Sequence, residues 1–170
     1  LTSEAVESCW ARDDWDACFA NQRGPYYDIW ALRHPWWSPN DCWAQERFYR
    51  QYSRGKLWAA FVSVYSRQIC IPETSPWIEV ESAFGGLGIY KAGVFVSPGE
   101  HVGLDSEGNE ICDIPPFHEM IKGEHQFFIN PKLINGQINE HTSRLAFPRV
   151  LKFASRIFLN LIRNGIRIRL

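Results

Sequence analysis

Strand-like and helix-like segments alternate along this chain, and the alternation limits the folds that it can adopt. Short apolar runs bounded by turn residues predict strands at residues 15–20, 26–32, 78–84 and 127–129, and Ile89-Tyr90 is either a strand or the start of a helix. Capping residues and apolar spacing predict helices at residues 2–10, 41–52 and 117–121. The turn-forming stretch from Asn21 to Pro25 predicts that the first two strands form a hairpin or lie side by side, and Asn130 and Pro131 are expected to end the last strand. No repeat and no shift in composition marks a second domain.

The composition excludes several classes of protein. A chain of 170 residues that is 45% hydrophobic and 22% charged can bury a core. Its formal net charge of -1 removes the electrostatic case for a nucleic-acid partner, so none is expected. The five cysteines are an odd number without a Cys-x-x-Cys pair, which favours buried thiols over disulfides and therefore a reducing, cytoplasmic location.

Residues 148–170 are basic. From Pro148 onward apolar residues recur at helical spacing, with Lys152, Arg156 and Arg163 beside the stripe. The spacing predicts an amphipathic terminal helix. Two interpretations remain open, namely that the stripe packs on the domain or that the helix makes peripheral contact with an anionic membrane surface.

A glycine-rich stretch, Gly85-Gly86-Leu87-Gly88, follows the alternating run at residues 78–84. It lacks the spacing of a dinucleotide-binding loop and the lysine of a phosphate-binding loop. It is either a tight turn between two elements or a place where the backbone approaches a ligand closely. Glu81 favours the second interpretation, because a carboxylate four residues before the glycines could deprotonate a hydroxyl nucleophile.

Indoles are concentrated in the first part of the chain, where all eight tryptophans precede residue 78. A proline-rich loop at residues 34–39 carries Trp36 and Trp37, and Asp28, Trp30 and Arg33 precede it. Aromatic faces with carboxylates and amides between them suit sugars, whose C–H faces lie on rings while their hydroxyls form directional hydrogen bonds. The alternative is a core rich in tryptophan.

Two motifs resemble parts of metal sites. Asp14-Trp15-Asp16 has the Asp-x-Asp arrangement in which two carboxylates share a divalent cation, although a solvated turn is the favoured interpretation. His118 follows Pro115 and Pro116, which fix the local backbone. No second histidine lies within four residues of it, so a hydrogen-bonded structural role is favoured over a self-contained zinc site.

Taken together, residues 1–142 resemble the later, acceptor-side half of a GT-A type glycosyltransferase domain, particularly uncharacterised bacterial and capsule-type transferases. The resemblance depends on four segments: Trp15-Asp16-Ala17 with Ala20-Asn21-Gln22, Tyr26-Tyr27-Asp28-Ile29-Trp30-Ala31-Leu32-Arg33, Glu81-Ser82-Ala83-Phe84-Gly85-Gly86-Leu87-Gly88-Ile89-Tyr90, and Phe117-His118 followed by Phe128-Ile129-Asn130-Pro131. It implies an α/β fold with the mixed sheet of nucleotide-diphospho-sugar transferases. Residues 1–147 would be the C-terminal half of that catalytic domain, incomplete at the N-terminus.

The resemblance also implies an activity. Such enzymes move a sugar, commonly a hexose, from a nucleotide-diphosphate donor to a glycan or related hydroxyl acceptor during polysaccharide synthesis. Mn²⁺ or Mg²⁺ assists, and its main Asp-x-Asp ligands are expected upstream of Leu1. The alternative function is a non-catalytic carbohydrate-binding or interaction module that uses the tryptophan-rich loop.

The resemblance assigns roles to individual residues. Glu81 matches an acceptor-binding or base carboxylate, and His118 matches a late histidine that completes the metal site. Gly85 and Gly86 match the backbone near the transferred sugar. Together with the aromatic segment, the expected substrate-binding residues are Asp28, Trp30, Arg33, Trp36, Trp37, Phe84, Gly85 and Gly86.

Overall fold

A four-stranded mixed sheet organises the protein, for which a computed structural model describes residues 1–52, 55–96, 103–106 and 108–136. The strands are β1 (Ala17–Asn21), β2 (Ile78–Glu79), β3 (Gly88–Tyr90) and β4 (Phe127–Ile134), in the spatial order β2-β4-β1-β3. The helices are α1 (Ser3–Glu7), α2 (Cys42–Tyr52), α3 (Lys56–Ser63) and α4 (Ile114–Lys122), with 3-10 turns at Ser8–Ala11, Tyr65–Arg67 and Ala92–Val96. The expectation of an α/β chain with a mixed sheet is therefore confirmed.

The central pair of strands, β1 and β4, is parallel. Ala17 lies opposite Phe127, and the register continues to Ala20 opposite Asn130. Every residue of β1 is buried. Its side chains alternate between two hydrophobic clusters, one containing Phe19 and the other Cys18. A strand that is covered on both faces needs a continuous apolar sequence, and this apolar run is the feature from which the strand was predicted.

The edges of the sheet are antiparallel and short. Tyr90 of β3 pairs with Ala17, and Ile78 of β2 pairs with Ile129. The predicted strand at residues 78–84 is regular only over Ile78–Glu79; the Val80 amide still donates to the Phe127 carbonyl, and Ser82 forms a bridge with Arg33.

The second predicted strand, at residues 26–32, is wrong, and with it the predicted hairpin. These residues form an irregular loop in which Tyr26, Ile29 and Leu32 are fully buried. The Tyr26 amide donates to the Ile69 carbonyl and the Ile29 amide to the Tyr27 carbonyl, so the loop satisfies its backbone outside the sheet. The run is apolar because its side chains are buried in the core, although its backbone belongs to no strand.

The last strand continues through Asn130 and Pro131 instead of ending there. The register with β1 shifts after Ala20, and this irregularity accommodates a proline that has no amide to donate. The buried Asn21 side chain stabilises the chain at this irregularity, because its Nδ2 donates to the Pro131 and Ile71 carbonyls, 3.0 Å away in both cases.

Local signals placed α1, α2 and α4, whereas α3 begins after Gly55 with no side-chain cap. The Thr2 hydroxyl accepts the Ala5 amide at 3.2 Å and begins α1, and the Asp41 carboxylate accepts the Ala44 amide at 2.7 Å and begins α2. Prolines occupy the first turn of α4. Among the described residues, no helix is long and apolar enough to cross a membrane. The predicted helix at 148–170 lies outside the described residues.

All five cysteines are free thiols, as the sequence predicted, but only Cys9, Cys18 and Cys42 are buried, whereas Cys70 is exposed and Cys112 is half-buried. The Sγ atoms of Cys9 and Cys18 lie 3.2 Å apart between α1 and β1. The Cys18 thiol donates to Cys9 and lowers the pKa of Cys9 to about 7, while the same contact and burial raise the pKa of Cys18.

The glycine-rich loop is seated on the end of β1. The Ala20 amide donates to the Leu87 carbonyl at 3.0 Å. Gly85 is buried with φ +63°, and a Cβ built on it would lie 2.2 Å from the Ala20 carbonyl oxygen. Only glycine permits both this backbone conformation and this close approach.

We expect Gly85→Ala to lower the free energy of unfolding by about 2–5 kcal/mol, because left-handed strain and overpacking add together. Gly108→Ala is the matched control: its φ is +78°, but no atom lies within 4 Å of the built Cβ. It should lose only about 1–2 kcal/mol. Urea denaturation of both variants measures the difference, and equal losses would show that the loop is not seated on β1.

Candidate functional site

An open cleft with a volume of about 700 Å³ lies where the loop after β2 faces α4. Its walls carry charges of both signs beside prolines and other apolar groups. Such a mixture is typical of sites that bind small polar ligands. The lining residues are Arg33, Asp41, Glu81, Ser82, Ile111, Cys112, Pro115, Pro116, Glu119, Lys122 and Gly123.

Glu81 presents its carboxylate at the wall of this cleft. Its amide donates to the Arg33 carbonyl at 2.9 Å, and the next residue, Ser82, forms a bridge with Arg33. The Glu81 side chain is 62% exposed, so a ligand can reach it. Lys122 Nζ lies 2.5 Å from Glu81 Oε2 and 3.3 Å from the Val80 carbonyl oxygen. The carboxylate is therefore accessible and held beside a cation.

Arg33 lines the cleft, but its guanidinium also fixes the loop to which it belongs. Nη1 donates to the Trp30 and Leu32 carbonyls at 2.9 and 2.8 Å, and Nη2 lies 3.4 Å from Asp41 Oδ2. The Trp30 indole donates to the same Asp41 oxygen at 2.9 Å. Asp41, which also begins α2, thus joins the indole and the guanidinium into one network.

Asp28 holds the glycine-rich loop. Its Oδ2 accepts the Gly85 amide at 3.0 Å, while the Gln22 side-chain amide donates to the Gly85 carbonyl. Gly86 is exposed, with φ +82°, and a Cβ built there would lie 2.8 Å from Asn135 Nδ2. Burial and the Asp28 carboxylate raise the pKa of the neighbouring Tyr27.

The other aromatic candidates have different positions. Trp36 is 91% exposed. Trp37 is half-buried, with its indole N–H 2.6 Å from the Arg67 carbonyl oxygen and its ring 5.3 Å from that of Tyr26. Phe84 is half-buried, and its carbonyl accepts the Leu87 amide at 3.2 Å, closing the turn that contains both glycines.

His118 is fully buried behind Ser82, on the inner side of the cleft wall. Its Nδ1 lies 2.8 Å from Ser82 Oγ and its Nε2 2.7 Å from the Tyr90 hydroxyl. Ser82 donates its own proton to the Ala31 carbonyl at 2.8 Å, which assigns Nδ1–H as the donor to Ser82 and Nε2 as the acceptor from Tyr90. Burial raises the pKa of Tyr90, so its hydroxyl keeps the proton that it donates.

The described residues do not provide a cation site. Both ring nitrogens of His118 have hydroxyl partners, so a metal would have to displace Tyr90. Asp14 pairs with Arg12, and Asp16 Oδ2 accepts the Gln126 amide at 2.9 Å. Within the described part of the chain, no group of three or more His, Cys, Asp or Glu side chains is placed to hold a metal ion.

The structure brings Glu81 and Arg33 to one cleft and places Asp28 against Gly85 in the neighbouring glycine-rich loop. Sequence reasoning missed Glu119 and Lys122, which also line the cleft. Their i, i+3 spacing on α4 places them on one helix face, but only the fold shows that this face meets Glu81. No protein-family model, curated protein or solved structure matches the chain.

We expect His118→Phe to lower the free energy of unfolding by about 1–3 kcal/mol, because the ring volume is retained while buried hydroxyls lose a partner. His125→Phe is the control, since His125 is partly exposed, and its change should stay within about 0.5 kcal/mol. Urea denaturation measures both. Wild-type stability in His118→Phe would contradict the structural role derived for this histidine.

Proposed function

We propose that the chain carries the acceptor side of a GT-A type glycosyltransferase, which moves a sugar from a nucleotide-diphosphate donor to a glycan hydroxyl. One observation carries the proposal: the accessible Glu81 carboxylate lies on a fixed backbone at the wall of a ligand-sized cleft. The resemblance of the segments around Glu81 and Asp28 to such transferases supports it.

The chemistry of the cleft suits a sugar. Carboxylates of Glu81 and Glu119 accept hydrogen bonds from hydroxyls, and Lys122 donates. Pro115 and Pro116 supply apolar surface against which C–H groups of a sugar ring can pack. Both kinds of contact are needed to orient a polyhydroxylated acceptor.

In the proposed reaction, Glu81 accepts the proton of the acceptor hydroxyl as its oxygen attacks the anomeric carbon of the donor. The new bond joins that oxygen to the anomeric carbon, and the bond from this carbon to the nucleoside diphosphate breaks. Lys122 Nζ lies 2.5 Å from Glu81 Oε2 and holds the carboxylate at the cleft wall. The proposal includes Mn²⁺ or Mg²⁺, as the resemblance implies, held by groups other than the described residues.

The test measures release of nucleoside diphosphate from UDP- and GDP-sugars with Mn²⁺ and a mixture of oligosaccharide acceptors, using the full-length gene product that contains this chain. We expect Glu81→Gln to lower kcat by about 10²–10⁴-fold, because the amide cannot accept the proton. Glu79→Gln is the matched control: Glu79 is exposed on β2 and does not line the cleft. Wild-type turnover in Glu81→Gln, with the circular dichroism spectrum unchanged, would remove Glu81 from the mechanism.

A second function, non-catalytic glycan binding, is favoured by one observation, the 91% exposure of Trp36. Under this alternative, Trp36→Ala lowers the affinity for oligosaccharides by about tenfold or more, and Glu81→Gln leaves it unchanged. Trp10→Ala controls for loss of an exposed indole elsewhere, since Trp10 is 64% exposed. A glycan array probed with the three variants separates the two functions.

A further inference from the structure

A continuous row of aromatic rings covers the outer surface of α2 and α3. The ring centroids of Tyr52 and Phe48 lie 5.0 Å apart, those of Phe48 and Tyr49 6.0 Å, and those of Tyr49 and Trp58 5.5 Å. Leu57 precedes Trp58 in the first turn of α3. These five residues are called the aromatic face below.

The aromatic face lies on the side of α2 that the core does not use. Cys42 and Glu46 are buried, whereas Phe48 and Tyr52, four residues apart on another face, are 58% and 70% exposed. Leu57 is 67% exposed. Exposed aromatic and aliphatic groups joined into one patch mark a surface that contacts a partner, whereas single exposed residues do not.

The two helices that carry the aromatic face are basic. Arg47 and Arg50 lie on α2, and Lys56 begins α3. Between residues 42 and 72 the sequence contains one acidic residue, Glu46, and its side chain is buried. A partner that is apolar in part and negatively charged complements these two helices.

We propose that the aromatic face docks on an anionic lipid bilayer. Trp and Tyr rings are enriched at the headgroup level of membranes, and Arg and Lys near the surface are attracted by anionic lipids. Two helices lying on the surface insert their apolar side chains and leave their charges at the headgroups. This proposal is independent of the catalytic one.

Charge disfavours two other occupants. The chain's own last residues, 141–170, contain seven Arg or Lys and no acid, so they repel a basic surface. A second copy docked face to face would place the same two basic helices against each other. An anionic bilayer complements the same charges.

The test is flotation of the full chain with vesicles of phosphatidylcholine alone and of phosphatidylcholine with phosphatidylglycerol. We expect binding to the anionic vesicles only, weakened by salt. Arg50→Gln with Lys56→Gln should reduce the partition constant by about fivefold per charge, roughly 25-fold together. Phe48→Ser, Tyr52→Ser and Leu57→Ser combined should reduce it by about tenfold or more.

Two controls separate this surface from others. Arg156→Gln with Arg163→Gln removes the same number of charges from the terminal segment, and Leu104→Ser with Met120→Ser removes side chains that are 55% and 48% exposed elsewhere. Both controls should bind like the wild type. The charge variant changes only surface side chains and keeps the test valid if the apolar variant fails to fold.

Several outcomes would overturn the proposal. They are no binding of the wild type to anionic vesicles, unchanged binding of the charge variant, and loss of binding through the terminal charges alone. Sedimentation tests a fourth outcome. If the wild type is a dimer that the aromatic-face variants convert to monomers without loss of vesicle binding, the aromatic face contacts a second copy of the chain and not a bilayer.

Discussion

The parallel pairing of β1 with β4 is the constraint on which the rest of the structure depends. It sets Phe19 beside Phe127, with ring centroids 5.8 Å apart, and His118 packs against both rings. It also leaves the Ala20 carbonyl at the end of β1, where Gly85 approaches it. One strand pair therefore positions both α4, through His118, and the glycine-rich loop.

From that pair, a buried polar network extends to the cleft. The Tyr90 hydroxyl donates to His118 Nε2, and His118 Nδ1–H donates to Ser82 Oγ. The Ser82 hydroxyl in turn donates to the Ala31 carbonyl. Satisfied networks of this kind rigidify a fold, because any change leaves a buried polar group without a partner. The buried network thus fixes Ser82, and its neighbour Glu81 points its carboxylate into the cleft. In this arrangement His118 positions the cleft wall, and a role as metal ligand would require Tyr90 to leave Nε2.

The sequence predicted those features that depend on local chemistry. Caps such as Thr2 and Asp41 begin the helices where expected, and β1 is an apolar run because both its faces are covered. The run at residues 26–32 is equally apolar, but it forms a loop whose side chains are buried. No local signal in the sequence distinguishes this buried loop from a buried strand.

The candidate site was predicted only in part, for the same reason. Glu81 and the glycines were identified because carboxylates and glycines carry a local chemical signal. The meeting of Glu81 with Lys122 joins residues 41 positions apart and depends on tertiary packing. Likewise Trp30, Trp36 and Trp37 have similar sequence surroundings, yet only Trp36 is largely exposed.

The central claim is that the segment from Glu81, at the cleft wall, to Gly85, in the glycine-rich loop, is held as firmly as the strands of the sheet. Native-state amide hydrogen exchange tests it directly, because the Glu81 and Gly85 amides donate to the Arg33 carbonyl and to Asp28. The account predicts protection of both amides comparable to that of the β1 and β4 amides. Exchange as fast as that of Gly108, in the exposed turn after Asp105, would contradict it.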